Sequence, residues 1–262
     1  MRKLGVFIWF GYRIPIKERV RLIRETGFET VLHWWDNSFL EEEGLSREAQ
    51  AEVIRREGLA IENAHLQIDR VNQLWLDTLD GQSVFDGYLA DLDGLAEAGI
   101  PTAVMHTTSG ENPPPVSAVG MRRFQALAER AEKRGVRLAL ENVRFPPVLN
   151  QLLDAIESPM LGLCYDSGHD LVWSETPYQL LEQYQSRLFA VHLHDNLGDK
   201  DDHLPPGEGR LNWDLVRAGI EHSSYTGSFT LESDSAEIPP SRTPREHLRR
   251  HYEGAVSKLL GK

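Results

Sequence analysis

Eight short runs of β-branched, aromatic and aliphatic residues recur along the chain at intervals of roughly 25 to 40 residues, with amphipathic runs between them. They read Leu4–Phe10, Glu29–Trp35, Ala60–Leu66, Pro101–His106, Arg137–Asn142, Leu161–Asp166, Phe189–His194 and Ser228–Ser233. Strand-then-helix units of this kind build a parallel sheet, because a parallel neighbour needs a long crossover that a helix fills. Eight such units in 262 residues predict an α/β fold, a single (β/α)8 barrel over residues 1–262, a fold whose usual size is about 250 residues.

The intervening runs carry helix signals. Ile16, Val20 and Ile23 share one face of a helix over Ile16–Thr26, which Gly27 ends. Helices are expected over Ser46–Glu57, Val84–Ala98 and Val119–Arg134, each stopped by a glycine. Pro146-Pro147, Thr176-Pro177 and Asn212 open three more, and Thr243 with Glu246 has capping-box spacing at the start of the last. The loops Asn37–Leu45 and Gln67–Gln82 are the longest candidates for a substrate lid.

Charge narrows the partners. Lys plus Arg number 28 and Asp plus Glu 40, a net charge of −12, which disfavours DNA, other polyanions and anionic membranes. No apolar run approaches the roughly 18 residues of a membrane span. Gly5–Tyr12 is too short and too aromatic for the apolar stretch of a secretory signal and reads as the first strand. A lone cysteine, Cys164, flanked by strand residues, reads as a small buried thiol and suits a reducing, cytoplasmic setting.

Five of the later strands end in a residue that can bind a cation: His106, Glu141, Asp166, His192 and Glu232. Strand parity orients them. Glu141 alternates with Ala139, Asp166 with Cys164 and Gly162, His192 with Ala190, and Glu232 with Thr230 and Ser228, whereas the opposite parity is bulky and aliphatic. The ligand types therefore face the barrel interior at the C-terminal mouth, where barrel enzymes place their active sites. His65 has the matching position on the third strand, with Asn63 and Ile61 on its parity. The stretch Phe189–Gly209 adds His194, Asp195, Asp199, Asp201, Asp202 and His203, and His169 follows Asp166 by three residues. Carboxylates converging on one mouth repel unless a cation or shared protons hold them, so a divalent-metal site is the expected solution.

These residues resemble the xylose-isomerase-like barrel superfamily, which includes sugar isomerases and epimerases, inosose and dehydroshikimate dehydratases, and endonuclease IV-type apurinic endonucleases. LALEN, YDSGH, VHLHDN, DDHLPPGEG and TLES carry the likeness, which runs from GVFIWF to the final helix. The resemblance implies a TIM barrel with one divalent ion on Glu141, Asp166, His192 and Glu232. It also implies Glu141 and Glu232 as acid and base on either side of the substrate carbon. The ion would stabilise the enediolate formed when a proton leaves carbon, and the paired carboxylates would remove and return that proton. His169 would bind a substrate oxygen, and His106, Arg144 and Trp35 are further candidates for substrate contact.

The endonuclease IV-like members imply more. By that likeness His65, His106 and Glu141 hold one ion, Glu141, Asp166, His192 and Glu232 a second, and His169, Asp201 and His203 a third. All nine residue types are present. Against a nuclease stand the acidic mouth loops, with Glu41, Glu42, Glu43, Asp77, Asp80 and Asp199 to Asp202, where phosphate neutralisation calls for Lys and Arg. Arg13, Arg70, Arg144, Lys200 and Arg210 are the basic residues expected there, and Trp9, Phe10, Trp34, Trp35 and Trp75 the aromatics available for a sugar ring or for the core. His33 and His194 are pocket or structural candidates, and His222 and His247 are expected on solvated helix faces.

The expected function is metal-dependent isomerisation or epimerisation of a small sugar, sugar phosphate or related hydroxyketone, with phosphodiester hydrolysis or dehydration on the same ligands as alternatives. The expected cofactor is one ion of manganese, zinc, cobalt or magnesium, and up to three if the wider set assembles. The expected partner is a small carbohydrate-like molecule. The residues leave oligomeric state open.

Overall fold

The computed structural model describes residues 2–37, 43–232, 238–239 and 241–261. Eight parallel strands run in sequence order: β1 Leu4–Phe7, β2 Thr30–Trp34, β3 Ala60–His65, β4 Thr102–His106, β5 Arg137–Glu141, β6 Leu161–Asp166, β7 Leu188–His192 and β8 Phe229–Leu231. Strand β1 pairs with β8 on its far side, and a parallel bridge between Leu193 and Leu231 brings β7 to β8, so the sheet closes as a (β/α)8 barrel. Each strand lies where the alternating runs place it; β6 keeps the expected bounds, β7 begins one residue earlier at Leu188, and the other ends are kept or trimmed by a few residues. Ser233, and Glu41 and Glu42 of the candidate lid, lie outside the described residues.

Alternation along the strands separates two apolar compartments. Leu138, Leu140, Leu161, Leu163, Val191, Leu193, Phe229 and Leu231 belong to the large core between sheet and helices, whereas Val104, Ala139, Cys164 and Ala190 form a small cluster inside the barrel. Small residues line the interior because space at the axis is short. Gly5 shows how short: a Cβ there would stand 2.4 Å from the Thr30 hydroxyl. Strand β3 departs from simple alternation. Pairing with β2 slips between Val31 and Leu32, whose partners are Ile61 and Asn63. The extra residue, Glu62, accepts from the Thr230 hydroxyl at 3.2 Å, and Ile61 joins the outer core instead of sharing the side of Asn63 and His65.

Helices α1 Ile16–Thr26, α2 Arg47–Arg56, α3 Leu79–Glu97, α4 Ala118–Arg134, α5 Pro146–Ala155, α6 Ser167–Trp173, α7 Gln179–Gln183, α8 Trp213–His222 and α9 Pro244–Leu259 fill the crossovers. Helix α3 starts five residues before its expected first turn, because the Thr78 side chain caps it by accepting from Gly81 N at 3.0 Å. The capping box of Thr243 and Glu246 opens α9 as expected. His222 is exposed, but His247 is buried, since α9 turns that face onto Phe10 and Tyr12.

Candidate metal centre and cavity

The C-terminal ends of β3 to β8 deliver their polar residues to one place. Glu141 sits at its centre, 1 % exposed. Its Oε2 lies 3.1 Å from His65 Nε2 and 3.2 Å from His192 Nδ1; its Oε1 lies 3.3 Å from His169 Nδ1 and 3.7 Å from His106 Nε2. Burial alone would raise the Glu141 carboxyl, yet the charge of His192 and His106 and hydrogen bonds from His106 and His169 hold it well below the usual range. His192 answers in kind: burial opposes its charge, but Glu141, Glu232 and Asp166 lift it to about 9.

A second group adjoins the first. His194 Nε2 is 3.1 Å from Asp166 Oδ1 and 3.5 Å from Asp201 Oδ1, and Asp201 Oδ2 lies 3.2 Å from His169 Nε2 and 3.1 Å from His203 Nε2. The rings of His194 and His203 stack at 4.0 Å. Burial opposes charge on His203, but hydrogen bonding to Asp201 and its negative charge raise it to about 10. Asp201 is correspondingly lowered: burial would raise it, and the hydrogen bonds from His169 and His203 outweigh that.

Local structure explains the placement. Asp166 ends β6 and caps α6, with its Oδ1 accepting from His169 N at 2.7 Å, so a single carboxylate starts the helix that carries His169. Asn142 ties the ends of β5 and β6 together, donating to Asp166 O at 2.8 Å and accepting from Asp166 N at 2.7 Å. Gly168 is required by close approach, since a Cβ would lie 1.9 Å from the His194 ring. Buried Asp195 accepts from Asn196 N and Leu211 N on Oδ1 and from Gly207 N and Trp213 Nε1 on Oδ2, which folds the loop bearing Asp201 and His203 back over the mouth.

The donor set suits a divalent cation. Four residues, Glu141, Asp166, His192 and Glu232, bring ligand atoms within 4.8 Å of one another, and His65–Glu141–His192, Asp166–His169–His194 and His194–Asp201–His203 do likewise. His192 is fully buried, with Nδ1 3.2 Å from Glu141 Oε2 and 3.6 Å from Glu232 Oε2, and a cation between the imidazole and these carboxylates would satisfy all three. His106 approaches Glu141 from the rim.

Above this floor opens a cavity of about 500 Å³, within the range of small-molecule sites. Phe7, Trp9, Trp34 and Ile68 make its apolar wall, and Arg13, Asp36, His106, His169 and Glu232 its polar one. Two expected substrate contacts are elsewhere. Trp35 is fully buried on the outer face of β2, against Gly94 and beneath the Arg47 guanidinium; its neighbour Trp34 takes the inward position. Thr30, small, polar and on the parity of Trp34, was the signal for that orientation. Arg144 stacks on Trp173 and pairs with Glu111, outside the cavity lining. Phe10 and Trp75 are core, and His33 lies under α2, with Nε2 3.1 Å from Arg47 O. His194, one of the ligand types of the Phe189–Gly209 stretch and a pocket or structural candidate, stands inside the ligand cluster.

Comparison with known proteins bears on the fold and the family. An uncharacterized protein of Sinorhizobium fredii is 31 % identical over 155 residues, 54 % of this chain and 50 % of that protein. An inosose dehydratase of Bacillus thuringiensis is 25 % identical over 149 residues, 48 % of this chain and 49 % of the enzyme. The chain thus spans about half the length of the curated relatives it matches. Among solved structures, an L-ribulose 3-epimerase superposes with TM-score 0.78 at 14 % identity, covering 100 % of this chain and 95 % of the other. The IOLI protein with a bound zinc atom gives TM-score 0.78 at 15 % identity, covering 99 % and 98 %. At such identities the likeness speaks for the fold. The family match extends over residues 20–253, and the chain belongs to the xylose isomerase-like TIM barrel family.

Proposed function

We propose that this protein is a divalent-metal-dependent isomerase or epimerase of a small polyhydroxylated ketone. The observation that carries the reading is the buried quartet Glu141, Asp166, His192 and Glu232 at the floor of an open cavity with an apolar wall. Epimerases and an inosose dehydratase among the similar proteins support the same substrate class.

The quartet would hold the ion, which when bound supplies Lewis-acid stabilisation of negative charge on the substrate oxygens. The chain's own residues supply the rest. One carboxylate of the Glu141–Glu232 pair takes the proton from the carbon beside the carbonyl, leaving an enediolate; the other, as the acid, returns a proton. Return to the opposite face of the same carbon gives the epimer, and return to the former carbonyl carbon gives the isomer. Glu232 is the more open of the two, its side chain 12 % exposed against 1 % for Glu141, so substrate meets it first. His106, on the rim beside Glu141, is placed to bind a substrate hydroxyl, and Trp34 and Phe7 offer flat surfaces to the C–H face of a sugar.

Exchange of substrate C–H protons with solvent deuterium, followed across a panel of ketoses, tests this. The parent should show exchange that chelation abolishes, and Glu232→Gln should lower it by on the order of 100-fold or more. Parent-like exchange in both Glu232→Gln and Glu141→Gln would remove the glutamates from the chemistry.

The wider cluster favours one further reading. His65, His106, His169, Asp201 and His203 surround the quartet, and a fuller complement of ions would suit hydrolysis of a phosphodiester. Metal content near three zinc ions per chain, with chelator-sensitive cleavage of an abasic-site duplex, would establish that alternative; about one ion and no cleavage would exclude it.

A further inference from the structure

Behind the metal centre lies a second cavity, of about 210 Å³, between the loop after β7 and the N-terminal half of α9. It is too small for a whole sugar site, which begins near 300 Å³. Its walls are unusual for a gap beside so acidic a mouth. Asp202, Leu204 and Pro205 come from the loop after β7, Arg242 from the approach to α9, and His247, Arg250 and His251 from α9 itself; His203 closes the side toward the metal centre and, among the described residues, lines both cavities.

Their groups do not neutralise one another. His247 and His251, one turn apart, bring their rings to 4.5 Å. His251 is 1 % exposed, and its Nδ1 makes no hydrogen bond among the described residues. Burial holds the His251 imidazole well below its ordinary pKa, and His247, Arg250, His203 and Arg242 all push it the same way. Among the described residues, Asp202 pairs with Lys200 at 3.2 Å and accepts from Leu197 N at 3.1 Å, and Arg250 pairs with Glu208 at the edge of the cavity. The buried His251 imidazole calls for a hydrogen-bond partner and the Arg242 guanidinium for a negative one, and an apolar group offers neither. An oxyanion satisfies both.

We infer that this cavity binds a tetrahedral oxyanion of the phosphate class through Arg242, Arg250 and His251. Such a ligand has two sources, a phosphoryl group on the substrate or free inorganic phosphate. The inference is independent of the chemistry proposed for Glu141 and Glu232.

Titration of the metal-replete protein with inorganic phosphate by calorimetry is the test. Saturable binding near one equivalent is expected, weakened at least tenfold in Arg242→Gln and in His251→Leu, and partly restored in Arg242→Lys. Arg242 is half-buried outside the helix, so that pair of variants reads the site even where His251→Leu does not fold. Binding must also persist in Glu141→Gln and after chelation, which separates it from phosphate held by the metal. A Michaelis constant for a phosphorylated ketose that rises in Arg242→Gln, with its unphosphorylated counterpart unaffected, assigns the site to substrate; phosphate binding that leaves turnover of both unchanged assigns it to the free ion. Absence of saturable phosphate binding, or binding lost with the metal and indifferent to Arg242→Gln, overturns the inference.

Discussion

Asp166 performs two tasks with one carboxylate, and substitutions can divide them. Its Oδ1 caps α6 through His169 N, while both oxygens face His194 Nε2 at 3.1 and 3.2 Å. Asn keeps an oxygen for the cap but removes the charge. Asp166→Asn should therefore keep the cap of α6 and weaken metal affinity at least tenfold, measured by competition with a chelating dye. Asp166→Ala should lose the affinity and also about 1 kcal/mol of stability through the missing cap. His33 gives a separate, pH-dependent prediction. Burial lowers its folded-state pKa to about 4, against 6.5 for the ordinary imidazole. Between those values the unfolded chain takes up a proton that the folded chain refuses, so the stability His33 confers is complete above pH 6.5 and falls as pH drops toward 4. Denaturant unfolding at several pH values should show His33→Gln, which does not titrate, losing less stability than the parent across that window, by roughly 3 kcal/mol at the acid end.

At the scale of elements, the β7–α8 loop is held from one point. Asp195 offers both oxygens to four donors, and Asn would turn an amide toward two of them, Gly207 N and Trp213 Nε1. Asp195→Asn should cost about 2–4 kcal/mol and speed amide exchange across residues 196–212, measured by mass spectrometry, with metal affinity falling because Asp201 and His203 ride on that loop. The elements differ in how far the amino-acid pattern announces them. Strands with small interior residues, such as Ala139 beside Glu141 or Thr230 beside Glu232, reveal both their register and the side their ligands take, because an eight-stranded barrel has little space at its axis. The bulge at Glu62 has no such mark, as one extra residue shifts parity without changing residue type. Helix α6 is hidden for another reason. It has seven residues, too few for a period, and its cap is a residue already spoken for as a ligand. Helix α3 begins inside a polar stretch with Gly81 and Ser83, where the cap on Thr78 decides the start and side-chain polarity does not. Trp34 and Trp35 are alike to composition; only β2 parity separates the one that meets substrate space from the one that packs against Gly94.

For the whole molecule, binding of the proposed ion and folding would be linked. A metal that binds the folded barrel and not the unfolded chain adds about 2.7 kcal/mol at a hundredfold excess over its dissociation constant. Removal with a chelator should lower the melting temperature by on the order of 5–10 °C in scanning calorimetry, and no change would mean that the buried carboxylates and imidazoles satisfy one another without it. The place where that loss will be felt follows from how the barrel shuts. Along β4, β5 and β6 neighbouring strands share register over several residues, but β7 meets β8 at Leu193 and Leu231, with Leu193 N donating to Thr230 O and Glu232 N to Leu193 O. His192 and Glu232 flank that junction, 3.6 Å apart at their nearest charged atoms. The barrel is thus a belt whose two ends meet at a short overlap, and an ion held by the proposed quartet would be its buckle. Unfastened, the belt should gape first at β8, while the strands opposite stay closed.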